Sequence, residues 1–236
     1  MRATLTPCPF RNKTLLLVAA FGLVAAGLHA QTIVPIENSS FERVDISSNF
    51  NNSLGAVEDW FDGEDVTDPA YSGVDNGLIL HEDFDSDTPA APDGDQWLQL
   101  NNNEFVWQEV TTIAANTTYT LELTVGNRNS SPPSTYEFGF YADSDNTDLE
   151  AGSGDPDTIL EVGDQSDVGT LDQGSTSAQS VVFSSLSLPT DIAVGDRLFI
   201  GLQNTAPGNI LFDDLSLTTS PIPEPGSFAL LSGLAG

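Results

Sequence analysis

Cysteine, lysine and histidine are nearly missing from this chain of 236 residues. It holds one cysteine (Cys8), one lysine (Lys13) and two histidines (His29 and His81). Six basic residues stand against 35 acidic ones, and Arg2, Arg11 and Lys13 fall within the first thirteen positions. No Asp or Glu precedes Glu37. Beyond residue 30 there is no Cys, no Lys and only His81 as a histidine. Thiolate zinc sites, disulfide frameworks, cysteine nucleophiles and Schiff-base or phosphate-loop lysines are therefore excluded from that part. Three arginines cannot neutralise a phosphate backbone, which excludes a nucleic-acid binder and disfavours docking on anionic lipid. A helical period of useful length is also lacking after residue 30, as is any internal repeat.

The two ends differ from the middle. Residues 1–30 carry a positive start, an apolar stretch over residues 15–28 and a small residue, Ala30, at a cleavage point. That order is a secretory signal, expected as an N-terminal helix, and it is shorter than the roughly 20 residues a membrane span needs. The other end runs Thr218-Thr219-Ser220-Pro221-Ile222-Pro223-Glu224-Pro225, with proline at alternate positions, and then eleven mostly apolar residues, 226–236. Alternating prolines hold a chain extended, as suits a spacer offered to a processing enzyme. Pro223-Glu224-Pro225 resembles the namesake motif of the PEP-CTERM sorting signal of Gram-negative bacteria. The resemblance implies export, processing by an exosortase-type enzyme, and a cell-surface or extracellular location. The family's full-length membrane segment and terminal arginines do not follow the motif here, so a truncated or incomplete signal is expected.

Residues 31–218 amount to one domain, with periodicity two almost throughout. In 118–125, Tyr119, Leu121, Leu123 and Val125 alternate with Thr118, Thr120, Glu122 and Thr124. Tyr136, Phe138 and Phe140 repeat the pattern, as do Leu198, Ile200 and Leu202. Further strands are expected at 96–100, 105–110, 158–162, 178–188 and 210–217, with weaker ones at 32–36 and 77–80. Asn, Asp, Gly, Ser and Pro fill the gaps. The expectation is an all-β fold: an antiparallel β-sandwich of the jelly-roll kind, flanked by the signal helix and the short apolar tail (219–236).

Four short stretches carry a family resemblance across this domain. Ile36-Glu37-Asn38-Ser39-Ser40-Phe41-Glu42 looks like the opening of galactose-binding-like jelly rolls, including carbohydrate-binding modules. Asp93-Gly94-Asp95-Gln96-Trp97-Leu98 and Val106-Trp107-Gln108 resemble their middle strands, and Ile210-Leu211-Phe212-Asp213-Asp214-Leu215 their closing strand. In that group a structural calcium lies between the first and last strands.

Asp213 is the most informative carboxylate. Strict alternation would place it with Leu211, Leu215 and Leu217 on the core face, where an ionised group is costly unless neutralised. The resemblance makes Asp213 a calcium ligand, with Glu37 and Glu42 as candidates from the opening stretch. Two acidic runs, 83–88 and 143–148, lack the glycine and glutamate spacing of an EF-hand loop and read as solvated loops. Trp97 and Trp107 share an alternation phase with Gln99, Asn101 and Glu109, opposite Leu98, Leu100, Val106 and Val110. If the two strands are neighbours, Trp97, Trp107, Gln99 and Glu109 form a polysaccharide-binding platform. Trp60 and Tyr71 are further aromatics in acidic loops.

No catalytic constellation stands out. His81 has no nucleophile motif near it, and a glycosidase pair needs a distance that sequence does not give. The leading expectation is a non-catalytic, calcium-stiffened surface or matrix protein that meets polysaccharide. The alternatives are a purely structural matrix component and an enzyme. For the enzyme, some calcium-bound jelly rolls of similar outline are cyclases of indole alkaloids in which a buried acid protonates the substrate, and that resemblance points to Asp214 as the acid.

Overall fold

The computed structural model describes residues 30–42, 50–51, 60–62, 78–101, 104–142, 158–162 and 170–223. In chain order their strands are β1 (Thr32–Val34), β2 (Phe50–Asn51), β3 (Phe61–Asp62), β4 (Leu78–His81), β5 (Gln96–Asn101) and β6 (Phe105–Thr112). There follow β7 (Thr117–Gly126), β8 (Ser134–Ala142), β9 (Thr158–Val162), β10 (Thr170–Leu171), β11 (Thr176–Ser184), β12 (Arg197–Asn204) and β13 (Asn209–Pro221). The long strands fall near where alternation places them, except that β11 ends at Ser184 and the expected continuation over 185–188 leaves the sheet. Strands β2, β3 and β10, two residues each, are too short for a periodicity to register. The expected signal helix, Tyr71 and the acidic run 143–148 lie outside the described residues.

One sheet runs β11-β7-β13-β5-β4-β2, with β1 also paired to β13, and the other runs β10-β8-β12-β6-β3, with β9 beside β8. Every pairing is antiparallel. The fold is an all-β antiparallel sandwich of the jelly-roll kind. Thr32 opposite Thr219 and Val34 opposite Leu217 lay the first and last of these strands side by side. Leu98 and Leu100, Leu121 and Val125, Phe138 and Phe140, and Ile200 and Leu202 fill the space between the sheets and are all buried. Tyr119 stacks on Phe183 at 5.6 Å, so aromatic contact adds to the burial of apolar surface.

Candidate functional site

Strand β13 breaks the strict alternation of its own sequence. Its register against β7 runs from Asp213 opposite Thr124 to Ser216 opposite Glu122, so it carries one extra residue there. This is a β-bulge, and Asp214 stands in it with φ of 54° in the left-handed region, which Asp tolerates better than most residues. The extra residue exchanges the faces. Ile210 and Phe212 point into the main core before the bulge, and Leu215 and Leu217 after it. Leu211 packs instead with Leu80 and Trp97 on the outer side of the sheet. The expectation that Asp213 shares the core face with Leu215 and Leu217 is corrected by this shift.

Asp213 is nevertheless fully buried. Residues 82–95 fold over the outer face of β4, β5 and β13, and they supply its cover. The Asp93 N–H donates to Asp213 Oδ2 at 3.0 Å, while Asp213 Oδ1 is buried without a hydrogen-bond partner. Burial pushes this carboxyl up from 3.8 to about 7. The N–H groups of Asp93 and Asp214 oppose the rise, and the neighbouring Asp93 and Asp214 charges add to it.

Glu42 holds the far end of the same loop. Its Oε1 accepts from the N–H of Asp95 at 2.8 Å and of Gln96 at 2.7 Å, and its Oε2 from Gln96 Nε2 at 2.8 Å. Gly94, with φ of 80°, sits tight against it, since a Cβ there would collide with the Glu42 carboxylate. Glu37 is exposed, and its backbone exchanges two 3.0 Å hydrogen bonds with the Gln108 side chain. The three carboxylates expected to share calcium are thus not gathered at one point. Among the described residues no three His, Cys, Asp or Glu side chains are placed to hold a metal ion. Among those residues, the unpartnered Asp213 Oδ1 is the buried carboxylate oxygen that suits a hard cation.

The aromatic platform is also corrected. Strands β5 and β6 follow each other in sequence but belong to different sheets, so Trp97 and Trp107 lie on opposite outer faces of the sandwich. The alternation phase itself is right, with Leu98, Leu100 and Val106 inside. Trp97 is 0 % exposed and Trp107 4 %, so neither offers a flat open face. Trp97 lies against Leu80 and Leu211 under the loop, and its Nε1 donates to the Pro89 carbonyl at 2.9 Å. Gln99 is buried beside it. On the other sheet Trp107 packs edge-on to Phe199 at 5.7 Å, and Glu109 pairs with Arg197 at 2.5 Å. Trp60 is buried against Phe41. His81 accepts from the Asp83 N–H at 3.0 Å, capping a short 3₁₀ turn at Glu82–Phe84.

What remains open on the first sheet is a concavity beside the bulge. It encloses about 380 Å³ and is lined by Glu122 and Thr124 of β7, Ala178 and Ser180 of β11, and Asp214 and Ser216 of β13. Ser180 and Ser216 flank Glu122 in register on either side. Asp214 is exposed here, directly after the buried Asp213. The resemblance expected a buried acid at Asp214, and the structure corrects this, since the buried carboxyl of the pair is Asp213. One carboxyl is held back from water, and the other reaches a space that fits a small molecule. The sequence flagged both aspartates but not Glu122, whose signal was a lone charge on the Thr-rich face of β7. Pro223 follows the end of β13, and Glu224 and Pro225 lie outside the described residues.

No curated protein matches the chain. A Stig cyclase, Fisc, from Fischerella sp. TAU, solved in complex with (3Z)-3-(1-methyl-2-pyrrolidinylidene)-3H-indole, superposes with a TM-score of 0.63 at 19% identity. The alignment covers 82% of this chain and 100% of that one. A cyclase from the same organism, in complex with 4-(1H-indol-3-yl)butan-2-one, gives 0.61 at 18% identity, covering 82% and 100%. A CBM22 xylan-binding domain from Paenibacillus barcinonensis gives 0.49 at 16%, covering 83% and 99%. At these identities the two cyclase superpositions bear on the fold alone. The family comes from sequence, where the HpiC1-like model, described as HpiC1 cyclase, matches residues 32–218. That match overturns the expectation of a non-catalytic protein and points to an enzyme. Over residues 32–218 the chain belongs to the HpiC1-like cyclase family.

Proposed function

We propose that this protein is an acid-catalysed cyclase that isomerises an electron-rich, indole-bearing small molecule, with Asp214 as the proton donor. The observation that carries the reading is the bulge. It turns Asp214 out into a 380 Å³ concavity while its neighbour Asp213 stays sealed behind it. The indole class comes from the ligands of the two similar Fischerella cyclases. In the step proposed, the Asp214 carboxyl delivers a proton to an unsaturated carbon of the substrate. The resulting cation closes a ring by forming one carbon–carbon bond, and a proton leaves to restore neutrality. The reaction consumes and releases one proton, so no redox partner is needed. The test is incubation of the purified domain with indoles bearing an alkenyl chain. A product that is isomeric with the substrate when formed in H₂O and one mass unit heavier when formed in D₂O supports the reading, and no isomerisation across the panel refutes it.

Calcium belongs to the same proposal as a structural cation held by Asp213 through Oδ1. When bound, it would neutralise the buried carboxylate and so fix the shape of the bulge. Without it, Asp213 keeps its proton up to about pH 7 in the folded state but only up to about 3.8 when unfolded. Asp213 then binds more protons in the folded chain between those values, so its contribution to stability falls as pH rises from about 4 to 7 and is greatest below that window. In chelator the melting temperature should fall across this range, and calcium should remove the fall. Asp213→Asn should abolish both responses, whereas a pH-independent melt in chelator would refute the assignment.

The proposal also places the enzyme outside the cytoplasm of a Gram-negative-type bacterium, exported by residues 1–30 and sorted through Pro223-Glu224-Pro225. The motif's position directly after β13 supports this. Replacing the three residues by alanine in the host should leave the precursor unprocessed. Unchanged processing and surface display would remove the sorting step.

A further inference from the structure

Among the described residues, the concavity beside Asp214 gathers acid and hydroxyl groups but no protein cation. Glu122 and Asp214 face it, with the hydroxyls of Thr124, Ser180 and Ser216 around them. Of the three arginines beyond residue 30, Arg43 lies outside the described residues. Arg128 is paired with Asp85, and Arg197 with Glu109 on the opposite sheet. A carboxylate beside a concavity, in a chain of net charge −29, draws cations from solution and repels anions. Serine hydroxyls on both sides of Glu122 can accept the remaining N–H bonds of an ammonium group. Ala178 offers an apolar wall for attached carbon.

We infer that this cavity selects an organic cation, an ammonium-bearing molecule, with Glu122 as the counter-ion that determines specificity. This deepens the proposed function by naming the charge of the substrate, and it rests on that reading for the indole part of the molecule. Glu122 sits mid-strand with its side chain in solvent, so Glu122→Gln keeps shape and hydrogen bonding while removing the charge.

The test is calorimetric titration of the folded domain with tryptamine, its neutral counterpart tryptophol and the anion indole-3-propionate. Tryptamine should bind at least about tenfold more tightly than tryptophol, and the anion should not bind. Glu122→Gln should weaken tryptamine by about tenfold and leave tryptophol unchanged, and salt should weaken tryptamine alone. Equal affinities for tryptamine and tryptophol, no tryptamine binding, or no effect of Glu122→Gln would overturn the inference. Displacement of tryptamine by calcium through Glu122 would also overturn it and assign the face to a metal. Because binding is read without turnover, the two readings fail separately. Charge-selective binding without any cyclisation removes the cyclase and keeps Glu122. Cyclisation with unchanged tryptamine affinity in Glu122→Gln does the reverse.

Discussion

Asp214→Asn is expected to lower kcat by about 10²–10⁴-fold, the usual worth of a positioned acid, while leaving the fold intact. Asparagine is the informative replacement because Asp214 occupies the left-handed region, with φ of 54°. Asn tolerates that conformation as Asp does, whereas Ala would add strain and confuse loss of the acid with loss of the bulge. The side chain is exposed at the cavity, so the exchange buries no new polar group. The melting temperature should therefore shift little, and the loss should fall on kcat more than on KM, as for an interaction made in the transition state. A variant that cyclises substrate at the wild-type rate would remove Asp214 as the donor. One that unfolds would mean that the bulge depends on the carboxylate itself. Circular dichroism and an isomerisation assay on the same sample separate these outcomes.

The strands were legible in the sequence because one face of each is buried, and burial writes itself as a period of two. Tyr119, Leu121, Leu123 and Val125 show it without interruption, and all four are in the core. The bulge was not legible, because Leu211 shares its parity with Leu215 and Leu217 and lets the alternation run on through Asp213. Only the pairing of β13 with β7 shows that Ile210 and Phe212 face the core before the extra residue and Leu215 and Leu217 after it. The placement of Trp97 and Trp107 was not legible. Alternation gives the face of a strand but not which sheet the strand joins, and it does not say what folds over the outer face. Only the tertiary path of residues 82–95 decides that Trp97 is covered. The same loop explains Glu42, which holds the backbone N–H groups of Asp95 and Gln96.

Trp97→Ala is expected to cost about 3–5 kcal/mol, as for a large aromatic removed from a closed interior. Trp97 is fully buried between Leu80, Leu211 and Ala91, on the side of the sheet away from the main core. Its ring reaches Gly126 so closely that a Cβ there would lie 3.1 Å from Trp97 Cη2. Its Nε1 bond to the Pro89 carbonyl ties the loop down in the middle, between the Asp85–Arg128 ion pair and the bond from the Asp93 N–H to Asp213. Deleting the ring removes the apolar floor under the loop and leaves the Pro89 carbonyl without that donor. The effect should reach the site, because a loosened loop no longer holds Asp93 over Asp213. Trp97→Ala should then lower both melting temperature and calcium affinity, whereas a tryptophan on an open platform would change neither. For a domain of this size the cost corresponds to a fall of very roughly 10 °C. Trp97→Phe, which keeps most of the buried ring but loses the indole N–H, should recover most of the melting temperature. A Trp97→Ala domain that melts within a degree of wild type would mean that the loop does not close over the outer face. The seal over Asp213 would fail with it.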